Sequence, residues 1–374
     1  MQTEHSSADS NAGIFLKLVG SYWRGSSRLV AWLLVAVLLA TVLLGVWLQA
    51  LINVWNGAFF NALEKHAQAE IGPLLRQFAF YVVAGGLVMV VTVFVRMFLQ
   101  VQVRKWVTIQ IYTKWLSSRS YLRLDRNTKG AETPEFRIAD DVRLAMDQLI
   151  DLAVGFFSSL LLAITFFEVL ARVGGSIRID GIGLTIPAYF LCAAVLYALM
   201  MSGLASLVGW PLVGRIQRKN HLEGVFRYEL MQVRENAGTI STQGREQAEA
   251  RHLGSALDEL VSQWRRVFTG QAQVSGVASA NAVLVGIFPV ILAMPKYMTG
   301  EMTLGSVMQL ATAFVQVQMS LNWIVDNFVR FAEFRASANR VGELVTAMDR
   351  LDMPPEPGLE ESRVVVPIAV AERA

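Results

Sequence analysis

Apolar residues run in six long blocks, at roughly Leu29–Ile52, Phe78–Val101, Leu149–Ala171, Gly183–Gly209, Val274–Met294 and Leu304–Val329. A helix needs about 20 residues to cross roughly 30 Å of hydrocarbon, and each block is long enough. The blocks are apolar almost all round rather than on one stripe, which predicts six membrane-spanning helices. Trp23, Trp32, Trp47 and Trp55 flank the first block and Tyr81 opens the second, as expected of aromatic side chains at a membrane interface. Pro187 and Pro211 bracket the fourth block, which predicts a helix start at one and a break at the other. The connecting segments alternate. Those near 53–77, 172–182 and 295–303 are short; those near 102–148 and 210–273 are long.

The long segments keep a helical pattern. From Arg104 to Leu124, Trp106, Ile109, Tyr112, Trp115 and Leu116 interleave with basic residues, so the second span continues as an amphipathic helix. Ile216–Leu230 and Arg245–Phe268 read the same way, with Glu223 and Arg227 at an i,i+4 spacing. The chain is therefore expected to be an all-α membrane protein. A segment over 1–28 precedes a six-helix domain over 29–345, and a linker or tail over 346–374 follows it. In the tail, Met353–Gly358 reads as a turn-rich linker and Arg363–Val370 as a single strand or a frayed end.

Composition agrees with this picture. Hydrophobic residues make up 54% of the 374 residues and charged ones 17%, against about 45–50% and about 25% in soluble domains. Charge placement adds orientation. Of 33 Lys and Arg residues, 27 lie in the N-terminal segment, the two long segments and the region after residue 329; the three short segments hold 5. The positive-inside rule puts both termini and both long segments in the cytoplasm. The first 13 residues are polar and lack a basic stretch ahead of an apolar run, so no cleavable signal peptide is expected. One cysteine, Cys192, and four scattered histidines argue against a disulfide framework or a metal site.

A polar face on a spanning helix points to a wet path. Gln309, Thr312, Gln316, Ser320, Trp323 and Asn327 fall at three- or four-residue steps on the sixth block; Thr41, Gly45, Gln49, Asn53 and Asn56 do so on the first; Met89, Thr92, Arg96 and Gln100 on the second. The competing reading is hydrogen bonding between helices, worth about 0.6 kcal/mol on average. Ionisable residues in or near the blocks are Arg96, Glu168, Asp326, Arg330 and Glu333. Such groups are costly in lipid and usually face a cavity or a partner. Arg96 lines a path or snorkels to the inner interface. Glu168 is a proton acceptor or pairs with Arg172 at i+4. Asp326, Arg330 and Glu333 form a compensated helix end or a gate. Ser275, Ser279, Ala282 and Gly286 have the small-x-x-x-small spacing of helix packing.

Several segments resemble one family. Asn53-Val-Trp-Asn-Gly-Ala-Phe-Phe-Asn-Ala-Leu63 resembles its N-x-W-x-x-x-F-Y-x-A-L element. Lys105-Trp106, Trp115-Leu116 and Tyr121–Leu124 resemble the helix that follows. Thr133–Val142 is similar to N-P-D-Q-R-I-x-E-D-V, with the Asn, the first Asp and the Gln replaced. Glu223–Ala237, ending in Arg234-Glu-Asn-Ala237, is similar to E-x-D-F-R-x-x-L-x-x-x-R-E-N-A, and Trp323–Phe328 with Glu333–Arg340 resembles the end of the sixth span. The family is the ABC-transporter transmembrane group that includes YddA-like bacterial proteins, the peroxisomal fatty-acyl transporters and the SbmA/BacA peptide transporters.

The resemblance implies a type IV exporter-like fold, a homodimer in the bacterial inner membrane and cargo that is peptide-like or amphipathic. It also implies coupling helices at the tips of the long segments, touching ATPase domains near Pro134, Arg137 and Asp140 and near Arg234, Glu235 and Asn236. A tip with Arg234, Glu235, Gly238 and Gly244 suits docking, and a plain hairpin cap is the alternative. A phosphate-binding G-x-x-x-x-G-K-[ST] loop does not occur in the 374 residues; Lys129-Gly130 is the one adjacent pair, in the wrong order. No enzymatic activity, cofactor or nucleic-acid partner is expected of this chain. Three drives stay open: a separate ATP-binding subunit, a longer protein of which this is a piece, or the proton gradient; a non-transporting membrane scaffold is the remaining alternative.

Overall fold

In a computed structural model of the chain, residues 2–25, 28–117, 119–124, 133–179 and 184–352 are described. The linker and strand expected over 353–370 lie outside them. α1 (Gln2–Gly20) leads through a 3-10 turn, Ser21–Arg24, into α2 (Arg28–Glu64). α3 (Gln68–Ser117) is followed by the short α4 (Ser120–Arg123) and α5 (Pro134–Phe136), and a π-helical turn at Arg137–Asp141 opens α6 (Val142–Gly174). Two strands, β1 (Ile177–Ile179) and β2 (Leu184–Ile186), pair antiparallel with Ile177 opposite Ile186. Then come α7 (Tyr189–Glu235), α8 (Ala237–Gln243), α9 (Glu246–Met298), α10 (Leu304–Asp326) and α11 (Phe328–Asp352).

Among the described residues, five helices are long and apolar enough to cross a membrane: α2, α3, Pro134–Gly174, α7 and α9. At 1.5 Å per residue, the 53 residues of α9 extend about 80 Å, far beyond a hydrocarbon layer of roughly 30 Å. The expected continuation of spans into polar helices is thus present in α3, α7 and α9. α10 has 23 residues and is not among the five. Its Gln, Thr, Ser and Asn positions dilute an otherwise apolar sequence.

Three expectations are corrected. The protein is all-helical apart from one short hairpin, but the predicted fourth span starts late: β2 occupies its first residues and α7 begins only at Tyr189. The alternation Ile-Arg-Ile and Leu-Thr-Ile is the period-2 signal that carries a strand. Pro211 does not break its helix; α7 runs through it to Glu235. Gln263 of α9 donates to the Arg215 carbonyl (2.9 Å), and Arg215 donates back to the Arg266 carbonyl (3.3 Å), so the partner helix braces the segment after the proline. The first short connection shrinks to residues 65–67, turning at His66 with φ 51°. There Trp55 stacks on Phe59 and Phe78 and donates to the Leu74 carbonyl. In addition, α11 continues past residue 345, where a linker was expected to begin.

The chain divides into two compact units, one of residues 1–44, 86–157 and 325–374, the other of 45–85 and 158–324. In the first, Leu99, Val103, Val107 and Ile111 form a buried stripe on α3, one residue per helical turn. It packs with Phe15 and Val19 of α1, Met146 and Ile150 of α6, and Val341, Leu344 and Met348 of α11. Gly342 is needed there, because a Cβ would run into the Asn11 backbone. The second unit is built around α10, whose Leu310, Ala313, Phe314 and Val317 are fully buried against Phe166, Phe190 and Tyr197.

Candidate functional site

Two polar constellations and two segment tips stand out. The first constellation lies in the first unit. Asp151, on the opening turns of the predicted third span, meets Arg96 of α3 (3.5 Å) and Arg330 of α11 (3.7 Å). Gln100 of α3 donates to the Asp151 carboxylate (2.8 Å) and to the Asp147 carbonyl (3.3 Å). One turn away Gln148 donates to Glu333 (3.2 Å). Arg96, Arg330 and Glu333, separate candidates in the sequence, are thus brought together by a carboxylate that sequence reasoning passed over. The available signal was an acidic residue three positions into an apolar block, on the same face as Asp147. Arg330 turns to Asp151 rather than closing a helix end with Asp326, which is the exposed last residue of α10.

The second constellation belongs to the second unit and joins α2 to α10. Asn53, buried, donates to the Gln309 carbonyl (2.9 Å) and the Thr312 hydroxyl (2.7 Å). Asn61 accepts from the Gly305 amide (3.0 Å), and Glu64 accepts from the Leu304 amide (3.0 Å). Two orphan N–H groups at the start of α10 are therefore capped by another helix, and Glu64 adds a negative charge at the positive end of the helix dipole. Tyr297 donates to the other Glu64 oxygen (3.2 Å); that bond and the carboxylate charge hold its phenol above the usual pKa. Gly305 sits so close to Gly57 that a Cβ would overlap the Gly57 carbonyl.

Part of the expected polar stripe is therefore spent on helix contacts. Ser159 of α6 donates to the Ser320 carbonyl (2.8 Å), Ser320 donates to the Gln316 carbonyl (2.8 Å), and buried Gln318 donates to the Ala194 carbonyl of α7 (2.7 Å). Trp323 and Asn327 are half-buried and engage neighbours, and Asn56 is half-buried on α2. The side-chain oxygens of Gln49 and Asn53, one turn apart, are buried without a hydrogen-bond partner. Glu168 is exposed and pairs with Arg172 at 2.5 Å, so the burial that a proton acceptor would draw on is not present in this chain. Ser275, Ser279, Ala282 and Gly286 are exposed, and their small-residue face packs against no helix of the described residues.

The two tips differ. At the first, Arg137 is buried, donating to the Arg340 carbonyl (2.7 Å) and to Glu343 (3.0 Å). Asp141, fully buried, takes a bidentate pair from Arg340 (2.9 and 2.6 Å), and Asp140 pairs with Arg143. These groups are committed inside the unit, which leaves Glu135 and Phe136 exposed beside Pro134. At the second tip, Arg234, Glu235 and Asn236 end α7 in the open, and the exposed α8 follows and turns at Gly244 with φ 59°. Beneath α8 lies a cleft of about 580 Å³ lined by Tyr228, Glu229, Gln232, Ile240, Arg245 and His252.

Among the described residues, five long apolar helices, three of which run on into polar extensions, define a multi-pass membrane protein. The chain belongs to the family described as ABC transporter transmembrane region 2, which matches residues 24–298. It is similar to the Escherichia coli inner membrane ABC transporter ATP-binding protein YddA, 25% identical over 333 residues that cover 88% of this chain and 59% of the relative. An uncharacterized ABC transporter ATP-binding protein of Haemophilus influenzae is 24% identical, with 84% and 54% covered. The chloroplastic ABC transporter D family member 2 of Arabidopsis thaliana is 22% identical, with 90% and 46% covered. The chain thus spans about half the length of these curated relatives. It is a membrane component of an ABC-type transporter, and the matched region is a transmembrane one.

Proposed function

We propose that the chain is a homodimeric inner-membrane permease subunit that moves peptide-like or amphipathic substrates by alternating access. α10 is its sixth span, both termini are cytoplasmic, and ATP is hydrolysed on a domain outside these 374 residues. The observation that carries this reading is the second tip. α8 stands exposed at the end of the α7–α9 hairpin, over a polar cleft, where a partner domain has access to it. The first tip contributes Pro134, Glu135 and Phe136, while Arg137 and Asp140 shape it from within. Gln49, Asn53, Asn56, Gln309, Thr312, Gln316, Ser320 and Trp323 of the second unit and Asn327 of the first are the permease's pathway residues, and Arg96, Asp326, Arg330 and Glu333 of the first unit are its gating residues. A photo-crosslinking residue at Thr239, in membranes of the source cell, is expected to capture an ATP-binding domain identified by mass spectrometry. Adducts with unrelated proteins alone, at this position and at Phe136, would sink the reading.

A second reading rests on Asp151. An ion pair in the opening turns of a span is costly in lipid and is usually kept for a purpose. In a proton-driven importer of the SbmA/BacA kind, such a group carries the proton. Proteoliposomes holding the chain alone, with an inward proton gradient and no ATP, should then accumulate peptide, and Asp151→Asn should abolish it. No accumulation by the wild-type chain would reject this second reading.

A further inference from the structure

An apolar groove of about 370 Å³ opens on the first unit, a size typical of small-ligand sites. Trp23 lies in the 3-10 turn after α1, Leu38 and Leu39 come from α2, Leu99 from α3, and Val154 and Phe157 from α6. Every lining residue is apolar. One end is marked by charge. Lys17 directly follows the lining residue Leu16, Arg24 directly follows Trp23, and Arg28 begins α2 seven residues before the lining residue Val35. All three are exposed, and among the described residues no acidic group pairs with them. From Arg28 to Val42, the far lining residue of α2, the helix rises about 21 Å, somewhat more than one leaflet's hydrocarbon depth of roughly 15 Å. Lys17 on the last turn of α1, Arg24 in the 3-10 turn and Arg28 at the start of α2 thus flank the corner from which the lining residues of α1 and α2 diverge.

We propose that this groove binds one anionic phospholipid of the leaflet on the Lys17 side. An acyl chain lies along Leu38, Leu99 and Val154, and the phosphate faces Lys17, Arg24 and Arg28. Basic residues at a membrane surface attract anionic headgroups, and the apolar lining offers the tail the same solvent as the bilayer. A second copy of the chain fits the groove poorly. A two-fold contact centred here would bring the same three cations of both copies together.

The test is native mass spectrometry of the full chain, purified in mild detergent and titrated with phosphatidylglycerol or phosphatidylcholine of equal chain length. The wild type should retain at least tenfold more phosphatidylglycerol. Lys17→Ala/Arg24→Ala/Arg28→Ala should retain the two lipids equally, and Ala153→Phe, which fills the groove, should lose both. Equal retention by the wild type overturns the proposal. So does an unchanged preference in the triple variant, whose surface changes leave the fold intact. If Ala153→Phe dissociates a dimer while lipid retention stays the same, the groove is a contact between copies and the proposal also fails.

Discussion

The Arg340–Asp141 pair shows how unequally two partners share one interaction. Asp141 is fully buried, whereas the Arg340 side chain is 42% exposed. Removing the arginine leaves a buried carboxylate without compensation, a change that typically costs about 3–5 kcal/mol. Removing the acid leaves a guanidinium that water already reaches. Arg340→Ala should therefore lower the detergent melting temperature well below that of Asp141→Asn. A thermal-shift series checks the order, and equal losses would contradict the burial argument. Burial also explains why Arg137 reads differently in sequence and structure. In the chain it is one more basic residue near a loop tip; in the fold its partners lie some 200 residues away on α11. Asp151 is the converse case. An acidic residue inside an apolar block was there to be read, but its two arginine partners come from helices far apart in sequence.

At the scale of elements, α10 is held less by its own apolarity than by α2. Asn61 and Glu64 cap its first turn, Asn53 bonds its second and third turns, and the Gly57–Gly305 approach lets the backbones touch. Caps of this kind are worth about 0.5–2 kcal/mol each. Overpacking a tight contact costs about 1–3 kcal/mol or more. Gly305→Ala should thus destabilise more than Asn61→Ala, and the double variant should fall short of the sum, because both act on one contact. Thermal unfolding of the three variants tests this. Tyr297 joins the same cap. Its raised pKa means that its bond to Glu64 is present at neutral pH and is lost only as pH rises through the folded-state value, above the ordinary tyrosine range near 10.

For the whole molecule, the number of crossings decides orientation. With α10 as a sixth span, Arg350 lies on the same side as Ser241 of α8, and Glu301 on the other; without it, Arg350 changes sides. Single cysteines at these three positions in a Cys192→Ser background can be labelled in intact cells with a membrane-impermeant maleimide. Glu301→Cys should react, while Ser241→Cys and Arg350→Cys should react only after permeabilisation. Labelling of Arg350→Cys in intact cells would remove the sixth crossing.

The sequence alone determined what depends on composition along a line. The apolar blocks, their polar helical continuations and the one-sided placement of Lys and Arg all follow from solvent preference, which each segment expresses by itself. It also carried enough motif to mark the family. Tertiary structure decided which polar residue meets which. Asn53 and Thr312 are 259 positions apart and Arg340 and Asp141 are 199 apart, and no periodicity encodes the register that joins them. That register comes from close packing, at Gly305 against Gly57 and at Gly342 against Asn11, where only a missing side chain lets the elements approach.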